Sequence, residues 1–291
     1  MSASELAAAV HEALDVDPET FEQETVAEAE RLKQEVSSGT FDNSQALVGL
    51  ELEFYAADDR TDALRRVPRQ LLELIGFEKE LGLHNAEMQT TPLPLTTYGL
   101  AAQEKEIQAH LAAALEKTAT EDIRLASGGI WTVPPVGESA DAYLTDSIEQ
   151  DDVHLGTNLS DSVRYHTMAN SQYPSRCTLE APNVTLAADT VMPESLSASI
   201  QPHYQVAHAP DLPEFFRYAL RVAGPLLALG VNSPFLPPEL YDDVPAEEIL
   251  ADAHMEHRID VFESVMNPGT GEDADRKVRF PPDFETVGDA I

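Results

Sequence analysis

The stretch Val48-Gly49-Leu50-Glu51-Leu52-Glu53-Phe54 constrains this chain most, because its apolar and polar residues alternate with period two. On a β-strand, Val48, Leu50, Leu52 and Phe54 face one way, and Gly49, Glu51 and Glu53 face the other. The apolar face requires a core to cover it. The other face carries two carboxylates roughly 7 Å apart, twice the strand rise per residue. Such a pair is either a solvated face or a place where a cation sits.

Two further segments can extend that face. His84-Asn85-Ala86-Glu87-Met88-Gln89-Thr90-Thr91, ahead of Pro92, reads as a strand with Asn85, Glu87 and Gln89 on one side and Ala86 and Met88 on the other. In 197–206, Ser199, Gln201 and His203 oppose Ile200 and Tyr204, and Pro202 marks an edge or a bulge. If the three strands are neighbours, Glu51, Glu53, Glu87 and His203 share one polar floor. Mg²⁺ or Mn²⁺ takes carboxylate oxygens and keeps positions open for phosphates. Arg164, Arg176 and Arg258 are candidates to offset phosphoryl charge. Composition alone tempers the motif. With 52 acids in 291 residues, an acid-x-acid triplet arises on the order of nine times by chance. No P-loop, GxGxxG or kinase lysine pattern is present, nor a Ser or Cys nucleophile signature. The single Cys177 excludes an intramolecular disulfide and reads as a small core residue.

Elsewhere the pattern predicts two acidic helices before residue 39, a short helix over 67–75, and a long helix over 98–117 with Thr96 as its cap. It predicts a strand over 123–130, a functional loop over 131–175, and a β-pair of 177–186 with 196–206. Further helices are predicted over 211–229 and over 245–266, the second placing His254 one turn before Arg258. The 52 acids face only 18 bases, five of them lysines, for a net charge of −34 spread along the whole chain. This reads as adaptation of the entire surface to high salt, where counterions screen self-repulsion. It excludes a basic nucleic-acid face. Met1–Val10 lacks the features of a signal peptide, no apolar run approaches about 20 residues, and a cytoplasmic location is expected.

These motifs, taken in order, resemble the glutamate–cysteine ligase and carboxylate–amine ligase family. Gly49-Leu50-Glu51-Leu52-Glu53-Phe54 is similar to its first-strand Gly-Val-Glu-Glu-Glu-Phe, and Glu87 to the acid on its second strand. Ser199-Ile200-Gln201-Pro202-His203 resembles its small-x-Gln/His-x-His strand, and Asn232-Ser233-Pro234-Phe235 its Ala-Asn-Ser-Pro turn. Arg258 resembles the Arg on the following helix. The resemblance implies an α+β fold of glutamine-synthetase type, a curved, mainly antiparallel sheet forming an active-site funnel with helices on its outer face. That domain would span 41–266, between an N-terminal helical segment, 1–40, and a polar tail, 267–291. It implies ATP and Mg²⁺ (or Mn²⁺), with Glu51, Glu53 and Glu87 as metal ligands. Gln201, His203 and Arg258 would bind the nucleotide, and Arg258 and Arg164 would be catalytic. It implies glutamate and an amine such as cysteine as substrates, joined through an acyl phosphate, in a protein that binds neither nucleic acid nor membrane and could form a homo-oligomer. The chain departs from the pattern at Leu52, where the family has an acid, and offers no clear equivalent of a further strand carrying Glu and Arg. Two other readings therefore stay open: a non-catalytic homologue serving as a binding or assembly module, and a metal-dependent hydrolase. The ligase reading requires the three carboxylates to converge within a shared cation's reach.

Overall fold

A computed structural model of the chain describes residues 1–171, 177–267 and 281–291. In chain order the first half contains α1 (Ala3–Leu14), α2 (Pro18–Ser37), β1 (Leu47–Asp58), α3 (Arg69–Ile75), β2 (Glu78–Lys79), β3 (Asn85–Gln89), β4 (Leu93–Pro94) and α4 (Thr97–Ala119). Then come β5 (Ile123–Ser127), β6 (Gly129–Ile130), α5 (Ala140–Thr145), β7 (Ser147–Gln150), β8 (Val153–Gly156) and α6 (Val163–Asn170). The remainder holds β9 (Cys177–Ala181), β10 (Val184–Ala188), β11 (Ser197–Ala198), β12 (Ile200–Gln205), α7 (Leu212–Gly230), α8 (Ala246–Asp252), α9 (Arg258–Met266) and α10 (Val287–Ala290). Every strand pairing is antiparallel, and the chain is an α+β protein.

The opening stretch is the spine of the main sheet, whose order is β12-β1-β3-β2. β1 is long enough to change partners along each edge. Its first half pairs β12 and its second half β5, while β4 and then β3 follow on the other edge. The period-two pattern sorts as expected. Phe54 and Ala56 join Ala86 and Met88 of β3 and Leu125 of β5 in one apolar cluster, closed by Leu71 and Leu72 of α3 and Ala114 of α4. Helices therefore cover the apolar face, and the acids are left on the other. Pro202 sits on an edge strand, paired across from Leu50, where a missing N–H costs no ladder bond.

Thr96 caps α4 through its hydroxyl to the Gly99 N–H. Gly99 lets the first turn of α4 touch β4: a Cβ there would lie 1.9 Å from the Pro94 carbonyl oxygen. Gly99→Ala is expected to cost about 2–3 kcal/mol, read by urea denaturation, because rigid backbone and not a side chain must move aside. A loss below about 0.5 kcal/mol, the ordinary effect of a surface substitution, would show that this approach is not needed.

Four expected elements differ. The single strand expected over 123–130 is two, β5 on β1 and β6 on β11, divided at Gly128 with φ of 72°. Residues 131–175 are not one loop: their described part folds into α5, the β7–β8 hairpin and α6, and α1 packs Leu6, Ala7 and Val10 on Val153 and Leu155 of that hairpin. β9 pairs with β10 in a hairpin of its own, while β12 joins β1. The helix expected over 245–266 is two helices, because Ala253–His257 leaves the helical path: the His257 N–H donates to the Ser233 carbonyl at 2.8 Å. No described helix is long and apolar enough to cross a membrane.

Candidate active site

The register brings the expected site residues onto one sheet face. Glu51 is paired with Gln201 on one side and Gln89 on the other, Glu53 directly opposes Glu87, and Gly49 opposes His203. Directly opposed residues of an antiparallel pair carry their Cβ atoms about 4.5–5.5 Å apart. Glu87 is buried, Glu51 and Glu53 are half-buried, and His203 is exposed. Leu52 turns to the other face and packs against the apolar cluster under the sheet. Its departure from the family triplet therefore removes no acid from this face.

Glu53 is the most constrained of the acids. It stands where the neighbour of β1 changes from β12 to β5, and β11 and β12 are offset there at Ser199. The Ser199 N–H donates to Glu53 Oε2 at 2.7 Å, and Gln201 Nε2 donates to Oε1 at 2.7 Å. Burial pushes the Glu53 carboxyl above its usual range, and the charge of Glu87 adds to that; the donors at Ser199 and Gln201 pull the other way. Gln89 Nε2 donates to Glu87 Oε1 at 2.7 Å. Glu51 lies aside, with its Oε2 3.2 Å from His203 Nε2.

Two acids beyond those expected complete the cluster. Glu80, just past β2, is pushed up to about 7 by burial first and then by its hydrogen bond with Glu87. The Tyr165 hydroxyl donates to Glu80 Oε2 at 3.0 Å, and the Arg164 guanidinium lies 5.9 Å from the Tyr165 ring centre. Glu194, on a 3-10 turn over Met192–Leu196, is pushed up to about 8 by burial and then by the charges of Glu80 and Glu53. Among the described residues, no Lys or Arg forms an ion pair with Glu53, Glu80, Glu87 or Glu194. Arg176 lies outside the described residues.

Arg258 is engaged elsewhere. It holds the buried Glu256 through Nε at 2.8 Å and Nη2 at 2.6 Å, and donates to the backbone oxygens of Ala198 at 3.1 Å and Gly230 at 3.3 Å. Burial works to raise the Glu256 carboxyl, but its hydrogen bonds from Arg258 prevail and hold it below the usual range. The Ala198 carbonyl and the Ser199 N–H belong to one peptide, so Arg258 braces the same peptide that donates to Glu53.

The donor set is all hard oxygen, which suits Mg²⁺ and not a softer metal. The expected convergence of Glu51, Glu53 and Glu87 is not met: Glu53 opposes Glu87 and Glu80 touches Glu87, but Glu51 stands aside with His203. Among the described residues, no three of these acids bring ligand atoms within 4.8 Å of one another. Pairs are what a cation needs when it keeps waters and takes phosphate oxygens as further ligands.

The sheet face gathers buried and half-buried, mutually repelling carboxylates, braced by amide donors and lacking a basic counter-ion among the described residues. The chain belongs to glutamate-cysteine ligase family 2, whose model matches residues 47–284. That match makes it a ligase in general terms, of the ATP-dependent carboxylate–amine kind. Searched against the curated proteins, the chain matches none.

Proposed function

We propose that this ligase joins the γ-carboxylate of glutamate to the amine of a second small molecule, with cysteine as the first candidate, using ATP and Mg²⁺ (or Mn²⁺). The observation that carries the reading is the Glu53–Glu87 opposition, flanked by Glu80 and Glu194. These are carboxylates whose burial is costly without a cation. A γ-carboxylate oxygen of glutamate attacks the terminal phosphorus of ATP and ADP leaves. The amine nitrogen then attacks the acyl phosphate, and inorganic phosphate and a proton leave. Mg²⁺ supplies neutralisation of the phosphate charge and alignment of the phosphates.

The chain's own residues supply the frame. Ser199 and Gln201 fix Glu53, Gln89 fixes Glu87, and His203 orients Glu51. Gln201 and His203 lie at the sheet edge where the nucleotide would enter. Arg258 acts as a positioning residue through Ala198, and the exposed Arg164, over the Tyr165 ring, is assigned to phosphate or the substrate carboxylate. Tyr165 ties α6 to Glu80. The 41–266 domain, the cytoplasmic location and a homo-oligomeric state belong to the same proposal.

The test is ADP release from the full chain at molar salt, with Mg²⁺, glutamate and cysteine each omitted in turn. The expected result is release that requires all three, or Mg²⁺, glutamate and another amine from a panel. No release from a folded protein with any amine would leave a binding module in its place.

A further inference from the structure

We propose that His254, His257 and Asp260 form a second metal site, for a divalent transition metal of the zinc class, which clamps the junction of α8 and α9. The site lies apart from the sheet acids and does not depend on the reaction proposed above. The spacing is His-x-x-His-x-x-Asp, and the chain carries only nine histidines. The break between the two helices folds the first two against the third. Asp260 Oδ2 lies 2.9 Å from His254 Nδ1 and 2.7 Å from His257 Nδ1. The two rings stack, with centres 5.5 Å apart and planes at 25°. One ligand atom from each residue falls within 4.8 Å of the other two, and among the described residues no other trio of His, Cys, Asp or Glu does so.

The chemistry separates this trio from the sheet face. Two imidazole nitrogens with one carboxylate oxygen suit zinc, cobalt or nickel, whereas all-oxygen pairs suit magnesium. Zinc–ligand distances of about 2.0–2.2 Å place tetrahedral ligand atoms roughly 3.3 Å apart. The two His–Asp260 spacings need to open by only about 0.5 Å, and His254 is exposed. His257 is wholly buried, and its Nε2 finds no partner among the described residues. An exposed side of the trio leaves a fourth position for water or a ligand, as open zinc sites do.

The clamp has a structural target. His257 is hydrogen-bonded through its N–H to Ser233, Glu256 forms a parallel bridge with Ser233, and Arg258 follows directly. A metal on the trio fixes the segment from which Arg258 reaches Ala198.

Cobalt titration of the full chain tests this. Cobalt on two nitrogens and an oxygen in a four-coordinate site absorbs strongly in the visible, whereas cobalt on oxygen ligands in six-coordination absorbs weakly. The expected result is an intense band saturating at one equivalent, displaced by zinc, together with a raised melting temperature. His254→Gln, at an exposed position, should keep the fold and weaken cobalt binding at least about ten-fold. Glu53→Gln should leave the band unchanged. A weak six-coordinate spectrum, or an intense band of undiminished affinity in His254→Gln, overturns the proposal.

Discussion

Glu53→Gln is expected to abolish Mg²⁺-dependent nucleotide binding and to lower ligation by at least about 10²-fold, the scale seen when one electrostatic group is removed from a preorganised site. The fold should be retained, with stability changed by no more than about 1 kcal/mol. The two halves of the expectation come from the same geometry. Glu53 receives the Ser199 N–H and the Gln201 amide. A Gln carbonyl still accepts one of them, and losing a buried charge that faces Glu87 offsets the bond that is lost. The metal, however, loses one of the two opposed carboxylates. Glu51→Gln should do much less, because Glu51 lies aside with the exposed His203. Titration of Mg²⁺ with ATP by calorimetry, beside urea denaturation of each variant, separates the outcomes. Nucleotide binding by Glu53→Gln equal to that of the unaltered chain would remove Glu53 from the site.

The sheet floor was readable because alternation fixes which face a strand residue takes, and a face of acids opposite Val48, Leu52 and Phe54 has only one orientation that buries the apolar side. That is why the alternation alone puts Glu51, Glu53, Glu87, Gln201 and His203 on one face. It does not place Glu80 or Glu194, for different reasons. Glu80 lies in an ordinary acidic run, Glu78-Lys79-Glu80, and reaches the site only because the two-residue β2 pairs with β3. Glu194 did carry a signal. It is an acid inside Val191-Met192-Pro193-Glu194-Ser195-Leu196, and an acid in so apolar a stretch needs a partner or a proton. Short elements were also missed where their turn chemistry was plain. Asp151 and Asp152 both take positive φ, 52° and 61°, in the tight β7–β8 turn, which Asp tolerates well. Asn183, with φ of 63°, similarly turns β9 into β10. The break at Ala253–His257 had no Gly or Pro to announce it. Its cause is tertiary, the pairing of Glu256 and His257 with Ser233, and a local pattern cannot contain it.

The second large effect is on stability, and it follows from His84. This ring is wholly buried at the start of β3. Its Nε2 lies 2.9 Å from the Ser195 carbonyl, which can only accept, so Nε2 carries the proton and Nδ1 accepts from the Tyr143 hydroxyl at 3.0 Å. Trp131 and Tyr143 pack around it, and the Arg66 guanidinium lies 5.0 Å from the Tyr143 ring centre. Burial pushes the imidazole down to about 4, the Ser195 bond opposes this, and the Arg66 charge adds to it. The sign follows from linkage. The unfolded chain takes up a proton near the ordinary histidine value of about 6.5 while the folded one does not. The stability contributed by neutral His84 is therefore full above about 6.5 and is lost as pH falls toward 4, by about 2 kcal/mol between pH 7 and pH 5. His84→Leu, of similar volume, should cost about 3 kcal/mol at pH 7, because Ser195 O and the Tyr143 hydroxyl are both left buried and unpaired. It should also remove this acid-linked loss, so the stability difference between the two proteins narrows as the pH falls to 5. Urea denaturation of both at the two pH values reads it, and a difference that stays constant would show that His84 takes its proton with the same affinity folded and unfolded. Because His84 ties Ser195 to β3, the same substitution loosens the turn that holds Glu194 against the site, and Mg²⁺-dependent stabilisation should fall with it.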